Sequence, residues 1–284
     1  MRAAYAALII YDIIIIMSII VKDLVFKYED SRTNAIDGIS FTINDNEWVS
    51  IIGHNGSGKS TLAKILMGIL EKKSGDVNMF SYDLTEDNMY DIRRHIGIVH
   101  QNPDNQFVST IVKDDIAFGL ENLCIESNKM DSIIDDALAK VSMTNFKERD
   151  VSSLSGGERQ KIAISSILAM NLDTIIFDES TSMLDPYSRD EIISLIKELK
   201  RDGKTIIMIT HDMAEALMSD RCIVLSKGKI IKDDIPEKVL TDTSVLTLSN
   251  LESPRVLYLF NKLKEEGYDN KEVLDALWQL TLKM

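Results

Sequence analysis

The stretch GHNGSGKST, residues 53–61, limits what this chain can fold into more than any other. Gly53, Gly58, Lys59 and Ser60 fit the pattern G-x-x-x-x-G-K-[ST]. The apolar run WVSIIG (48–53) before it reads as a buried strand, and TLAKILMGIL (61–70) after it reads as a helix. Glycines let the backbone curl so that successive N–H groups face one anion, and the start of the helix adds its positive dipole end. Gly53, His54, Asn55, Gly56, Ser57, Gly58, Lys59, Ser60 and Thr61 are therefore candidates for cradling the phosphates of a nucleotide. In this cradle Lys59 supplies a charge-assisted contact to the outer phosphates, and Ser60 supplies an oxygen ligand for Mg2+.

A strand-turn-helix of this kind needs a sheet around it, and the rest of the chain provides one. HIGIVH (95–100), TIIFDE (174–179) and TIIMITH (205–211) are short β-branched runs that each end in a polar residue. Open α/β sheets carry their sites at such strand ends. Ahead of them, SIIVKDLVFKY alternates like an opening strand. Between Gln101 and Ala169 the strand signal gives way to helical periods, as in DSIIDDALAKV (131–141), which predicts an inserted, mostly helical subdomain. LSKGKII (225–231) predicts a hairpin turning at Lys227 and Gly228. RVLYLFNKLKEEG and NKEVLDALWQL, separated at Gly267, predict a small C-terminal helical appendage. The expected organisation is an α/β cassette with a mixed sheet over 17–245, with its helical subdomain at about 101–169, followed by the appendage over 246–284.

Residues 1–16 are expected to lie outside this fold. The run Leu8–Ile20 is apolar apart from Tyr11, Asp12 and Ser18. As a helix it would span only about 20 Å, short of the ~30 Å hydrocarbon core. No A-x-A-like cleavage site follows it, so a leader or an upstream start is the reading adopted. A formal net charge of -13 disfavours a broad nucleic-acid-binding face, so no nucleic-acid partner is expected. Cys124 and Cys222 are far apart, which indicates neither a disulfide framework nor a zinc site. Cys222, within CIVL, reads as a small buried hydrophobe in a reducing compartment.

Three further features carry chemistry. Asp178 and Glu179 end the strand TIIFDE, where adjacent acids can divide the work of phosphoryl transfer to water. Asp178 is assigned to the magnesium side and Glu179 to the water. His211 ends the next strand and can hydrogen-bond the γ-phosphate or the attacking water. The third feature is LSGGERQK (154–161), in which Ser155 and Glu158 form a capping box ahead of the periodic KIAISSILAM. Capping alone does not call for Gly156 and Gly157, which weaken a helix by roughly 1 kcal/mol each relative to Ala. Bare amides there make a second anion site.

GHNGSGKST, Gln101, LSGGE, IIFDES, SMLD and THD occur in the order and approximate spacing of the ABC-type ATPases, and the chain resembles that family over about residues 18–240. The resemblance implies a P-loop NTPase fold that hydrolyses ATP. It also implies a head-to-tail dimer with two ATP at the interface, in which Ser155, Gly156 and Gly157 of one subunit serve the γ-phosphate held by the other. Carried over residue by residue, it places Tyr28 against the adenine, Gln101 on magnesium and the water, Asp185 across the dimer interface and His211 at the γ-phosphate. For Tyr28, in VFKY, a strand core position is the competing reading. Ser180 departs from the Ala or Pro common there, and ERQK departs from the usual continuation of the signature.

The run 101–122, SMLDP and the appendage resemble more narrowly the ATPase A-components of energy-coupling factor transporters, the cobalt and vitamin importers. That resemblance implies a homologous ATPase partner, in a homodimer or heterodimer, and a transmembrane coupling protein that contacts residues 101–122. It also implies a substrate-binding membrane protein and a peripheral location on the cytoplasmic face of the membrane. The alternatives are an ATPase of another ABC transporter class, a non-transport ABC protein and a GTP switch. The last rests on NKMD (128–131), which matches the guanine-reading N-K-x-D. No buried strand leads into NKMD, and Asn128 reads instead as the cap of a helix starting near Met130. A non-transport member would be expected to carry sustained heptads or a second cassette, and neither is present.

Overall fold

The computed structural model describes residues 18–251 and, further on, residues 258–259, 262–263, 266–267, 272–273 and 276. The expected leader, residues 1–16, lies outside them. The described chain runs β1 Ile19–Phe26, β2 Ile36–Ile43, β3 Trp48–Ile52, α1 Lys59–Leu66, β4 Ser74–Met79, β5 Tyr82–Asp83, α2 Met89–Arg93 and β6 Ile96–Val99. The helices α3 Val112–Asn122, α4 Ser127–Lys140 and α5 Gly156–Ala169 follow. Next come β7 Thr174–Asp178, α6 Pro186–Arg201, β8 Thr205–Ile209, α7 Met213–Ala216, β9 Arg221–Ser226 and β10 Lys229–Asp234, and α8 Pro236–Leu240 and α9 Thr243–Leu248 close the series.

Two sheets form. One is antiparallel, in the order β2-β1-β4-β5, and the other follows the order β10-β9-β3-β8-β7-β6. In the second sheet β6, β7, β8, β3 and β9 pair in parallel and only β10 is antiparallel, so it is the mixed sheet expected. Every residue of β3, β6, β7 and β8 is buried, because both faces of that sheet are covered. On one face, Ile51, Ile176 and Ile207 pack with α1 (Leu62, Leu66) and with Ile19, Val21 and Ile43 of the antiparallel sheet. On the other face, Val99, Phe177 and Met208 pack with α3, α4, α5 and α6 through Ile116, Leu138, Ile164 and Ile196. Cys222 is buried in a third cluster with α7, α8 and α9, and burial pushes its thiol pKa up.

Two sequence expectations change. The helix after the glycine loop does not run from Thr61 to Leu70; α1 starts at Lys59 and ends at Leu66. Gly68, at φ 63°, stops it: the Gly68 N–H donates to Ile65 O and the Ile69 N–H to Lys64 O, each at 2.8 Å. These are the paired bonds of a Schellman ending. Asn128 is not a cap either. Glu126, in extended conformation, occupies that position and α4 begins at Ser127, so NKMD forms the first turns of a helix and leaves no base-reading loop. The hairpin is as expected, with Lys227 (φ 48°) and Gly228 (φ 77°) both left-handed, as a type I′ turn requires. Past Pro254, most of the predicted appendage falls outside the described residues. Tyr258, Leu259, Lys262 and Leu263 are helical, Glu266–Gly267 is a turn, and Glu272, Val273 and Ala276 are helical again.

Candidate active site

Strand order builds the site. β3, β8, β7 and β6 are consecutive neighbours, and Gly53, His211, Glu179 and Gln101 each follow one of them by one or two residues. With strands about 4.8 Å apart, their carboxyl ends set these residues in a row. They line a cavity of 640 Å³ together with His54 and Asn55.

The glycine loop is packed against its own chain. A Cβ on Gly53 would meet Leu225 O at 2.1 Å, and one on Gly58 would meet Ala35 O at 2.6 Å. The loop therefore closes only with glycine at both positions. Within it the Ser57 N–H donates to His54 O at 3.1 Å, and His54 Nδ1 donates to Asn55 O at 2.8 Å. Lys59 is buried, and its ammonium donates to Gly53 O at 2.7 Å and His54 O at 3.2 Å. Burial lowers its pKa, while Glu179 and Asp178 oppose that shift.

The acids behave differently. Asp178 is buried, which raises its pKa against the lowering effect of the Ser60 hydroxyl, which donates to Asp178 Oδ1 at 3.1 Å. Glu179 has a left-handed backbone, φ 48°, which is strained for a residue with a side chain. Its Oε2 accepts from Gln101 Nε2 at 3.0 Å and lies 3.4 Å from His211 Nδ1. Three residues that the sequence singled out separately thus converge on one oxygen. The next residue, Ser180, is buried and its hydroxyl has no hydrogen-bond partner among the described residues.

Tyr28 lies two residues beyond the end of β1 and is 42% exposed, so the strand core reading is wrong and the buried Phe26 fills that role. Its hydroxyl lies 3.1 Å from Thr61 Oγ1, and its ring meets that of Phe26 edge-on at 4.9 Å. Asp185 caps α6, accepting from the Ser188 N–H at 3.0 Å, and the Ser188 hydroxyl and amide hold its carboxyl below the usual range. Ser155 and Glu158 form the expected capping box at the start of α5, with the Ser155 N–H donating to Glu158 Oε2 at 2.8 Å. Ser155, Gly156 and Gly157 do not line the cavity at the glycine loop.

Motif reading overlooks Gln106 and Gln160. Gln160 is fully buried and donates to His100 O at 3.0 Å, while Gln106 donates to Ala163 O at 2.7 Å and accepts from the His100 N–H at 3.3 Å. Together they fasten the segment carrying Gln101 to α5. The one available signal was a glutamine on the apolar side of a helix, which periodicity alone scores as a blemish.

Phosphate loop, paired acids, strand-end histidine and glycine-led capped helix on this sheet define a P-loop nucleotide hydrolase of the ABC type. The family described as ABC transporter matches residues 36–182. The energy-coupling factor transporter ATP-binding protein EcfA of Pediococcus pentosaceus is 46% identical over 273 residues, 93% of this chain and 98% of its own length. The solved structure of cbiO1 from Clostridium perfringens, part of the ABC transporter complex cbiONQ, is 33% identical. It superimposes with a TM-score of 0.71 over 86% of this chain and 98% of that one. The cassette MJ0796, solved as a post-hydrolysis dimer bound to ADP and Pi, is 27% identical. It covers 77% of this chain and 98% of its own, also with a TM-score of 0.71. The chain belongs to the ABC transporter family and, within it, to the ATP-binding proteins of energy-coupling factor transporters.

Proposed function

We propose that this chain hydrolyses ATP as a subunit of an energy-coupling factor importer, closing head to tail with a homologous ATPase around two ATP. The observation that carries this reading is the convergence of Gln101 and His211 on Glu179 Oε2 at the mouth of the glycine loop. Glu179 orients the attacking water and takes its proton, Gln101 and His211 hold that carboxylate in place, and His211 reaches the γ-phosphate. Lys59, anchored on two carbonyls and desolvated, presents its charge to the β- and γ-phosphates. Tyr28, exposed and braced by Phe26, offers its ring to the adenine.

Ser60, Asp178 and Gln101 are hard oxygen donors, the set that suits Mg2+, and the 3.1 Å contact between Ser60 and Asp178 already directs two of them to one point. Bound there with the nucleotide, Mg2+ would neutralise charge on the phosphate oxygens. Ser155, Gly156 and Gly157 serve the partner's γ-phosphate, and Asp185 faces the same interface.

The membrane partner fits a groove of 600 Å³ between β6 and the helical subdomain, lined by Tyr90, Arg93, Arg94, His100, Asn122 and Leu123. Asn105, Gln106 and Asn122 of the 101–122 segment line it, and Tyr90 is exposed. Among the described residues no helix is long and apolar enough to cross a membrane. In this reading a transmembrane coupling protein docks in the groove, at the cytoplasmic face. A substrate-binding membrane protein would deliver the solute, a vitamin or a transition-metal ion. Residues 17–245 form the cassette in this reading, with the helical subdomain at about 101–169 and the appendage at 246–284. Glu179→Gln tests the proposal: ATP binding is expected to persist while turnover nearly vanishes and the closed dimer accumulates. Undiminished phosphate release would refute it.

A further inference from the structure

A second carboxylate cluster lies behind the catalytic one. Glu215, on α7, is almost fully buried, yet three side chains point at its carboxylate. The Thr181 hydroxyl donates to its Oε1 and the Thr210 hydroxyl to its Oε2, each at 2.6 Å. Arg189, on α6, donates from Nε to Oε1 at 3.1 Å, and its Nη2 lies 3.0 Å from the same oxygen as an ion pair. Arg189 Nη2 also pairs with Asp212, whose other oxygen caps α7 by accepting from the Ala214 N–H at 2.7 Å. The Asp212 N–H in turn donates to Thr210 Oγ1 at 2.9 Å.

The attachment points matter more than the number of bonds. Thr181 is two residues after Glu179, and Thr210 immediately precedes His211. One buried carboxylate therefore ties together the two segments whose side chains meet 3.4 Å apart at Glu179 Oε2 and His211 Nδ1. A cavity of 180 Å³ lined by Glu179, His211, Thr181, Thr210, Arg189 and Glu215 joins the two clusters. A buried anion of this kind needs a counter-charge, and Arg189 brings it from the helix that Asp185 caps. Arg189 thus connects α6 to the His211 turn through charge-assisted contacts with Glu215 and Asp212.

We propose that Arg189 and Glu215 are positioning residues for hydrolysis: acting through Thr181 and Thr210, they hold His211 and Glu179 in register and link that register to the helix carrying Asp185. This rests on the assignment of Glu179 and His211 given above. Small misplacements of reacting groups cost rate far more than they cost binding.

The test uses the full chain in the complex purified from membranes, measuring phosphate release for kcat and a fluorescent ATP analogue for affinity. Thr181→Val removes one hydroxyl at nearly constant volume, and it is expected to lower kcat by on the order of tenfold while leaving nucleotide affinity within about twofold. Thr181→Ser, which keeps the hydroxyl, is expected to restore most of the loss. Arg189→Met is expected to lower kcat further; should that variant not fold, the Thr181 pair decides. Wild-type kcat in Thr181→Val overturns the proposal, as does a parallel loss of affinity and kcat that serine fails to rescue. Glu179→Gln run alongside separates the layers: if it still turns over, the catalytic assignment has failed, whereas an inactive Glu179→Gln beside a normal Thr181→Val removes the positioning role alone.

Discussion

The glycine loop at 53–61 and the glycine turn at 155–157 use the same residue for opposite reasons. At Gly53 and Gly58 a side chain would strike Leu225 O and Ala35 O, and both residues have positive φ, so the chain's own packing demands glycine. At Gly156 an added Cβ meets nothing within 4 Å, and at Gly157 only Leu184 Cδ2 at 4.0 Å. Neither has positive φ, and both lie at the start of a helix where alanine would be more stable. Nothing inside the described chain explains them. A residue that costs stability without an internal cause points to a cause outside, and the proposed one is the partner's phosphate.

That contrast can be broken by experiment. Gly53→Ala forces backbone against backbone at a φ that suits only glycine, and a loss of about 3 kcal/mol or more is expected in chemical denaturation. Gly156→Ala should leave the fold as stable as before, or stabilise it by up to roughly 1 kcal/mol, by the same measurement. Its turnover should nonetheless fall on the order of a hundredfold, as for loss of a phosphate-stabilising contact. If Gly156→Ala instead unfolds the chain, the second glycine pair is structural like the first. Lys59→Ala should weaken ATP binding by about 2 kcal/mol in equilibrium titration, the range for a charged hydrogen bond. The pair also tests the composite site: in a homodimer, mixing Lys59→Ala chains with Gly156→Ala chains unites one intact loop with one intact turn, and activity absent from either alone should reappear. In thermal unfolding a small loss of about 1 kcal/mol is expected for Ser155→Ala, which removes a helix cap.

Legibility in the sequence followed the range of the interaction. The strands β3, β6, β7 and β8 are short, mostly apolar runs, and each lies within a residue or two of its expected span. The hairpin at Lys227–Gly228 and the capping box at Ser155 depend on neighbours only a few positions away, so their residues announce them. β4 was not legible: SGDVNM buries only Val77 and Met79, and it becomes a strand because β1 supplies its hydrogen bonds. The early stop of α1 is written in Gly68, but Leu70 beyond it packs on the same core and mimics a longer helix. Asn128 is a good capping residue by type, yet it lies inside α4, because Glu126 already holds the extended conformation that precedes the helix.

By itself the sequence determined the chemical parts: a loop able to face an anion, two acids at a strand end, a histidine, and a glycine-led helix start. Each is specified by backbone conformations set within a few residues. Only the tertiary structure decided that Gln101, 78 residues before Glu179, meets that carboxylate together with His211, and that Glu215 binds both segments from behind. Those contacts depend on β6, β7, β8 and β3 standing side by side, and strand order is chosen by how whole faces are buried, a balance that no short stretch of residues contains.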